Sequence, residues 1–480
     1  MAGLEQTDPA TPPDEVRRSD IGLRSERGPI LLAVMLSTAL VALDATIVAT
    51  AVPSVVRDLG GFVEVPWLFS VYLLAQAATV PVNGKLADMF GRKPLMYYGI
   101  ALFLLGSVVC GLAWSMPVLI AGRVLQGLGA GAVQPIGMTL IGDVYSLRER
   151  AKVQGYVASV WGLSSVVGPT LGGVFSQALS WRFIFWVNIP LCLLAAWMLR
   201  HFTESVTRRT SRVDVAGAAL LTAATTLLVL GLLESGHAWP WSGWQTPAVF
   251  AGAVVLLVAF VLVERVVAEP VLPLWVFRSG VLRTTSAISL LVGGLILGLS
   301  SYVPALGQVA LGASAVVSGF ALAALTLGWP VSAALSGRLY LTIGFRRTGL
   351  LGVASAVAGA LVLVLVGTTS LVWVAVGCLM VGFGMGWVAA PALVVAQSSV
   401  AWDQRGVATG TNMFARSMGS AVGVAVFGAM VNAATGERPT PASLSAGVHQ
   451  VFVGILVLTL ALGVLEVFMP VRASDPPHSR

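Results

Sequence analysis

Long apolar runs alternate with short polar loops along almost the whole chain. Fourteen of these runs are long enough to cross a bilayer, which takes about 20 apolar residues. Because hydrocarbon offers the backbone no hydrogen-bond partner, each run is predicted to be a helix. The predicted spans cover approximately residues 29–53, 66–86, 94–114, 117–142, 152–178, 183–200, 213–234, 247–266, 283–304, 315–339, 346–367, 371–395, 404–432 and 447–470.

The composition excludes a soluble globular protein. The chain is 57% hydrophobic and 10% charged, whereas soluble domains carry roughly 25% charged residues. The net charge of +7 would suit a nucleic-acid partner, but most Lys and Arg residues fall in alternate loops, on the side that holds the N-terminus. Basic residues accumulate in cytoplasmic loops. We therefore predict a multi-pass protein of the cell (inner) membrane, with both termini cytoplasmic and no nucleic-acid partner.

An internal repeat divides the chain into halves. The segment from Arg150 to Gly155 recurs from Arg405 to Gly410, and each copy leads from a predicted cytoplasmic loop into a span. Two parallel six-helix repeats with two inserted spans follow from this spacing, so the expected fold is an all-α membrane bundle of fourteen helices. The predicted organisation is a disordered tail 1–28, a six-helix bundle 29–200, a linker with two extra spans 201–282, a second six-helix bundle 283–470 and a tail 471–480.

The loop between the second and third spans reads GKLADMFGRK over residues 84–93. Gly84 and Gly91 allow a tight reversal of the chain. Asp88 can face the N-terminus of a helix, and Arg92 can pair with a carboxylate such as Asp143. The simpler alternative is that the basic residues of this loop only fix the topology.

Four further motifs narrow the family. They are LDATIVATAVP over 43–53, RVLQGLGAG over 123–131, GPTLGG over 168–173 and WRFIFWVNIP over 181–190. Together with the 84–93 loop they resemble the fourteen-span drug:proton antiporter family of the major facilitator superfamily, most densely over residues 40–200. The resemblance implies a secondary transporter that exports amphipathic drugs, dyes, antibiotics or lipophilic metabolites in exchange for protons, by alternating access.

The resemblance also assigns roles to two motifs. The residues that would latch the two halves at the cytoplasmic side are Gly84, Asp88, Gly91, Arg92 and Asp143. The residues that match the family's antiporter motif are Ser164, Gly168, Pro169, Gly172 and Gly173. Small residues four apart make a flat ridge for close helix approach, and a proline bends it. Ordinary helix packing would need the same residues.

Asp44 is the main candidate for proton coupling, because a carboxylate deep in a membrane is costly and functional by default. At 1.5 Å per residue, Asp44 lies roughly 22 Å from the cytoplasmic start of its helix, and Arg123 about 9 Å below the outer start of the fourth span. Their heights agree in a core about 30 Å thick, and the two spans are neighbours in this superfamily. Arg123 would hold Asp44 ionised when close and release it to bind a proton when apart. The alternative is a permanent structural ion pair.

Polar residues of three spans are candidates to line the substrate cavity. Gln126 and Gln134 lie on one helical face of the fourth span, although either could instead bond a neighbouring helix. Arg416 lies about 16 Å along its helix, with Asn412 one turn earlier and Trp161 at the aligned position of the first repeat. An arginine at that depth should face a cavity or a helix end, and structural hydrogen bonding is the equal alternative.

Missing motifs limit the energy source. The sequence has no Gly-x4-Gly-Lys-Ser/Thr phosphate loop and no HExxH or Gly-x-Ser-x-Gly hydrolase motif, so we expect no enzyme, no ATP, no metal and no cofactor, with the proton gradient as the energy source. The expected partners are a small-molecule substrate, protons and the lipid bilayer, and the expected state is a monomer. The alternatives are a facilitator, importer or lipid or metabolite carrier without proton coupling, and a sensor or scaffold that transports nothing.

Overall fold

The computed structural model describes residues 22–23, 25–60, 65–200, 202, 204, 214–235, 239–267, 270, 272–313, 315–435 and 440–471. The predicted tails 1–28 and 471–480 lie almost wholly outside these residues. Within them the chain forms α-helices and no β-strand. The helices are α1 Gly28–Leu59, α2 Val65–Phe90, α3 Arg92–Gly111, α4 Met116–Val144, α5 Leu147–Ala178, α6 Phe183–Trp186, α7 Asn188–Leu199, α8 Val215–Glu234, α9 Gln245–Glu264, α10 Trp275–Arg278, α11 Gly280–Ala305, α12 Ala315–Ile343, α13 Phe345–Val366, α14 Leu371–Ser398, α15 Arg405–Thr435 and α16 Pro441–Val467.

Many of these helices are suited to a membrane by length and composition. In the described part of the chain, nine helices are long and apolar enough to cross a bilayer, and two shorter apolar stretches, Phe183–Leu199 and Val215–Gly231, add to them. Each predicted span coincides with helical structure. The total of fourteen crossings and the side on which the termini lie remain predictions.

The predicted span 183–200 is not one continuous helix. It divides into α6 and α7 at Val187. Pro190 stands in the first turn of α7, where its missing N–H costs nothing, but it cannot donate to the carbonyl of Trp186 as a continuous helix would require. A second irregularity is a π-helical segment, Leu306–Ala310, that continues α11.

Two helix bundles with separate apolar cores make up the fold. Phe103 and Ile136 are fully buried in the core of the N-terminal half, α1–α7. Val381 and Phe452 are fully buried in the core of the C-terminal half, α11–α16. The halves meet where α5 packs on α12 and where α2 packs on α15.

The inserted helices α8 and α9 lie at one of these seams. Val229 of α8 packs in one cluster with Ala77 of α2 and Met418 of α15, so α8 touches both halves. Helix α9 packs on α8 and leaves Val255 and Leu262 exposed. The pair therefore covers the α2–α15 seam from outside.

The two halves secure their third helix in a related way. In the first half, Glu204 accepts hydrogen bonds from the backbone N–H groups of Arg92 at 2.9 Å and Lys93 at 3.0 Å. In the second half, the carbonyl oxygen of Val471 accepts from the N–H of Phe345 at 3.0 Å. In both cases, the chain just after the last helix of the half holds the free N-terminus of its third helix.

Candidate functional site

A buried ion pair joins α1 and α4. Arg123 Nη1 lies 2.5 Å from Asp44 Oδ2, and the two side chains are 2% and 0% exposed. Arg123 Nε also donates to the carbonyl oxygen of Leu68 at 3.0 Å. Its guanidinium carbon lies 4.2 Å from the ring centroid of Tyr72. Arg123 therefore ties α1, α2 and α4 together at one point.

Gln126 extends this pair into a hydrogen-bond network. Its side-chain oxygen accepts from Arg123 Nη1 at 2.8 Å, and its amide nitrogen donates to Ser107 Oγ at 2.9 Å and lies 3.3 Å from Asp44 Oδ1. Asn188 of α7 donates to the same Ser107 hydroxyl at 3.3 Å. The network runs through α1, α4, α3 and α7, so four helices are coupled to the charge of Asp44.

A second polar cluster lies at the end of the bundle that carries residues 84–93, which we call the motif end. Both carboxylate oxygens of Asp88 cap the first turn of α15 in the other half. The N–H of Gly406 donates to Oδ1 at 2.9 Å, and the N–H of Val407 donates to Oδ2 at 2.8 Å. A Cβ at Gly84 would lie 2.6 Å from the carbonyl oxygen of Gly406, so the absence of a side chain there permits the approach.

Arg92 is fully buried beside Asp88. Its Nη2 donates to Asp88 Oδ1 at 2.8 Å and to the carbonyl oxygen of Trp402 at 2.9 Å. Its Nε lies 2.9 Å from Asp143 Oδ2. The guanidinium carbon is 4.0 Å from the ring centroid of Trp402, which precedes α15. Gly91, with φ 98°, starts α3 in a backbone conformation that favours glycine.

The two repeat-related arginines, Arg150 and Arg405, converge on one backbone group. Arg405 donates to the carbonyl oxygen of Gly142 at 2.9 Å and to Asp143 Oδ1 at 3.2 Å. Arg150 Nη2 donates to the same Gly142 oxygen. Because Arg405 belongs to the second half and Gly142 to the first, these contacts keep the motif end closed.

The small residues Ser164, Gly168 and Gly172 form a ridge along α5, which we call the α5 ridge. It contacts α1 two residues from Asp44. The hydroxyl of Thr46 donates to the carbonyl oxygen of Ser164 at 3.1 Å. A Cβ at Gly168 would collide with the hydroxyl oxygen of Thr46. The ridge therefore brings α1 and α5 together at a point close to the buried ion pair.

The rest of the ridge is described in part. Gly172 is buried. Pro169 and Gly173 lie on α5, but their placement beyond the helix itself falls outside the described residues. On another face α5 reaches the second half, where a Cβ at Gly162 would lie 3.4 Å from Pro330 Cγ of α12.

Two residues expected to line a cavity bond neighbouring helices. Gln134 accepts from Gln76 of α2 at 2.7 Å, in a partly buried position away from Gln126. Asn412 is fully buried, donates to the carbonyl oxygen of Thr285 at 3.1 Å and accepts from Ser289 Oγ at 2.8 Å. Asn412 thus lies between α15 and α11, inside the C-terminal half.

Arg416 and Trp161 have a different environment. The guanidinium carbon of Arg416 lies 5.5 Å from the ring centroid of Trp329 on α12. Trp161 is 37% exposed. Neither is brought into contact with the Asp44 network.

Sequence reasoning missed several members of both clusters. Ser107, Tyr72 and Trp402 carried no distinguishing pattern, because single Ser and aromatic residues are common in membrane helices. Asn188 had a usable signal, since an Asn within an apolar run is a buried polar group that needs a partner.

Comparisons with known proteins agree with this architecture. The family model described as Major Facilitator Superfamily matches residues 34–424. Among relatives, Multidrug resistance protein 3 of Bacillus subtilis is 34% identical over 83% of this chain and 78% of its own length. Multidrug transporter protein MdtP of the same organism is 32% identical over 88% and 79%. Efflux pump FUS6 of Gibberella moniliformis is 31% identical over 90% and 80%.

Solved structures share the fold at low identity. The crystal structure of the human organic anion transporter MFSD10 has a TM-score of 0.66 at 18% identity and covers 92% of this chain and 99% of that one. The structure of the proton:xylose symporter XylE has a TM-score of 0.63 at 14% identity and covers 92% and 98%. With the family model spanning most of both helix bundles, the chain belongs to the major facilitator superfamily of membrane transporters.

Proposed function

We propose that this transporter exports amphipathic small molecules in exchange for protons, and that Asp44 is the group that binds the proton. The buried Asp44–Arg123 pair is the observation that supports this most. Taking two charges out of water is expensive, and such a pair is weak evidence for stability. Its position at the junction of three helices is more readily explained by a role in function. The multidrug and efflux names of the relatives support export.

The contacts suggest how a proton would act. Protonation of Asp44 removes its attraction for Arg123, which keeps its bonds to Leu68 and Gln126. Helix α1 is then released from α4. Thr46, two residues along α1, bonds to α5, and α5 packs on α12 of the other half. A shift of α1 would therefore be transmitted to the interface between the halves.

The motif end supplies the gate in this proposal. Asp88 and Arg405 are bonded across the two halves, so the described state is closed there. Under the predicted orientation this end faces the cytoplasm. Loading substrate from the cytoplasm would then require these bonds to break. Asp44 would release its proton when the transporter returns to the state that is open at the motif end.

One observation favours a second reading, transport without proton coupling. Both oxygens of Asp44 already have partners, Arg123 at 2.5 Å and Gln126 at 3.3 Å. A pair so well satisfied could remain ionised throughout the cycle. In that case Asp44 would be a structural residue, and substrate flux would not depend on a proton gradient.

Proton flux in reconstituted vesicles separates the two. Purified protein with an internal pH probe would receive cationic, neutral and anionic amphipathic fluorophores, as wild type and as Asp44→Asn. We expect substrate flux through the wild-type protein to move protons. In Asp44→Asn, the rate of this substrate-driven proton movement should be at least about tenfold lower. Substrate flux with no proton movement in wild type, or coupling intact in the variant, would establish the uncoupled reading.

Asp58→Asn is the matched control. Asp58 lies on the same helix and also pairs with an arginine, Arg182 at 2.6 Å, but its side chain is 49% exposed. Hydrogen bonds from Arg182 and then Trp181 hold the pKa of Asp58 below its usual range. It therefore stays ionised across an assay range of about pH 5 to 8. The control should leave coupling unchanged.

A further inference from the structure

Arg416 is one of few charges far from a helix end. In the described helices, three Asp, Glu, Lys or Arg side chains lie more than five residues from either end of their helix, and they are Asp44, Arg123 and Arg416. Arg123 and Asp44 neutralise each other. Arg416 makes no ion pair with any described residue, and its Nε is buried without a hydrogen-bond partner there. Among the residues that the structure describes, one positive charge is therefore left uncompensated at this depth.

The faces of α15 show where Arg416 can point. Asn412 and Ser420, one turn before and one turn after Arg416, share its side of α15 and bond to α11, whereas Met418, on the opposite side, packs with α2 and α8. The guanidinium of Arg416 instead reaches Trp329, which lies at the midpoint of α12. Both side chains are partly buried. Since an arginine cannot face lipid at mid-depth without great cost, its exposed part faces a space between the helices.

Trp161 on the opposite half indicates the same space. At about 100° per residue, it lies about 140° from Tyr156 and about 160° from Leu163 around α5. Those two are 38% and 66% exposed and mark the outer face, yet Trp161 is also 37% exposed. Its exposed surface therefore lies on the inner side of the bundle. Trp161 aligns with Arg416 in the internal repeat, and equivalent positions of the two repeats have the same orientation towards the axis that relates them.

We propose that Arg416 and Trp329 form a binding site for the carboxylate of an amphipathic organic acid, so that the substrates include monoanionic acids with an apolar or aromatic body. This assignment rests on the proposed transport function and adds the substrate class to it. A guanidinium carries five N–H donors in a planar fork that fits a carboxylate. The indole attracts the cation without using those N–H groups. The two tryptophans offer apolar surface to the rest of the molecule.

The test is equilibrium binding, which needs no gradient. Three probes share one fluorophore and differ in charge: dansylglycine is anionic, dansylglycinamide neutral and dansylcadaverine cationic. Energy transfer from tryptophan to dansyl reports binding to the purified full chain in nanodiscs. We expect wild type to bind dansylglycine at least tenfold more tightly than either other probe. Equal binding of all three, no binding of dansylglycine, or a preference for dansylcadaverine would overturn the proposal without any variant.

Variants locate the site. Arg416→Gln should weaken dansylglycine binding at least tenfold and bring it to the level of dansylglycinamide, while Arg416→Lys should retain part of the preference. Arg347→Gln, an exposed arginine of the same half, should bind as wild type. Unchanged dansylglycine affinity in a folded Arg416→Gln protein would refute the assignment.

The binding test and the proton test fail separately. Asp44→Asn should bind dansylglycine within about threefold of wild type, because the carboxylate site lies in the other half and binding involves no proton flux. Loss of proton coupling with the anion preference intact would remove the proposed exchange mechanism and keep the site. Loss of the anion preference with proton coupling intact would remove the proposed carboxylate site and keep the exchange mechanism.

Discussion

Asp88 is the residue whose replacement should most directly open the motif end. Both of its oxygens accept backbone N–H groups of α15, from Gly406 at 2.9 Å and Val407 at 2.8 Å. In Asp88→Asn one oxygen becomes an N–H₂ donor that faces an N–H donor. A hydrogen bond to a charged group contributes about 1.5–3 kcal/mol, and a carboxylate at a helix N-terminus about 0.3–1 kcal/mol more. Taking about 2 kcal/mol, the ratio of closed to open molecules should fall about thirtyfold.

Distances between spin labels would measure this shift. Phe90 is 44% exposed at the end of α2, and Arg347 is exposed at the start of α13 in the other half. Labels at these two positions report the separation of the halves at the motif end, and the native cysteines are buried and free, so they can be replaced or left unlabelled. Wild type should show one short distance by double electron–electron resonance. Asp88→Asn should add a longer one.

Glu149→Gln is the control for this measurement. Glu149 is also a carboxylate at the motif end, but its partners, the N–H of Ser146 at 2.7 Å and Arg27 at 3.1 Å, belong to the same half. Its replacement should leave the distance distribution unchanged. An unchanged distribution in Asp88→Asn, or equal opening in both variants, would show that the α15 cap does not hold the halves together.

Two further changes test helix contacts. Gly168→Ala places a methyl group against the Thr46 hydroxyl, so we expect slower transport and a lower Tm, with about 1–3 kcal/mol of strain. The control is Gly319→Ala, which has nothing within 4 Å of the new methyl group and should change neither quantity. Equal effects of the two changes would contradict close packing of α1 on α5 at Gly168. Asn412→Ala removes two buried hydrogen bonds at a cost of about 1–3 kcal/mol. Its Tm should therefore be lower than that of the wild type, and its KM for substrate should be unchanged. A changed KM at constant Tm would instead place Asn412 in the substrate site.

The charged residues were the part of the site that could best be predicted from the sequence. A charge inside an apolar run is rare enough to be noticed, and the constant helical rise gives its depth. This is why Asp44 and Arg123 could be expected at one height, and they lie 2.5 Å apart. The 84–93 loop was accessible for a related reason, since its charges stand at the end of a helix and need partners.

The rotation of each helix about its axis, and the neighbouring helix that each polar side chain contacts, could not be predicted from the sequence. Gln126 and Gln134 lie on one face of α4, yet the first bonds to α3 and α1 and the second to α2. Which neighbour a glutamine reaches depends on helix tilt, which packing sets and spacing does not. The same holds for Trp329 beside Arg416. The break at Val187 was missed although Pro190 is visible in the sequence, because a proline does not by itself interrupt a membrane helix: Pro81 and Pro135 lie inside continuous helices.

An anionic substrate places a particular demand on exchange with protons. A proton and an anion attract each other, so electrostatics alone would favour their joint movement. Exchange requires that their sites favour opposite conformations of the halves. The contacts allow this, because Asp44 is linked through Thr46 and α5 to the α5–α12 seam. Arg416 reaches Trp329 of α12 with its guanidinium, but its backbone belongs to α15, whose first turn is held at the α2–α15 seam by Asp88. If the two seams open alternately, occupancy of one site disfavours occupancy of the other. The Asp88→Asn variant, which weakens one seam alone, should therefore reduce the number of protons moved per substrate and not only the rate.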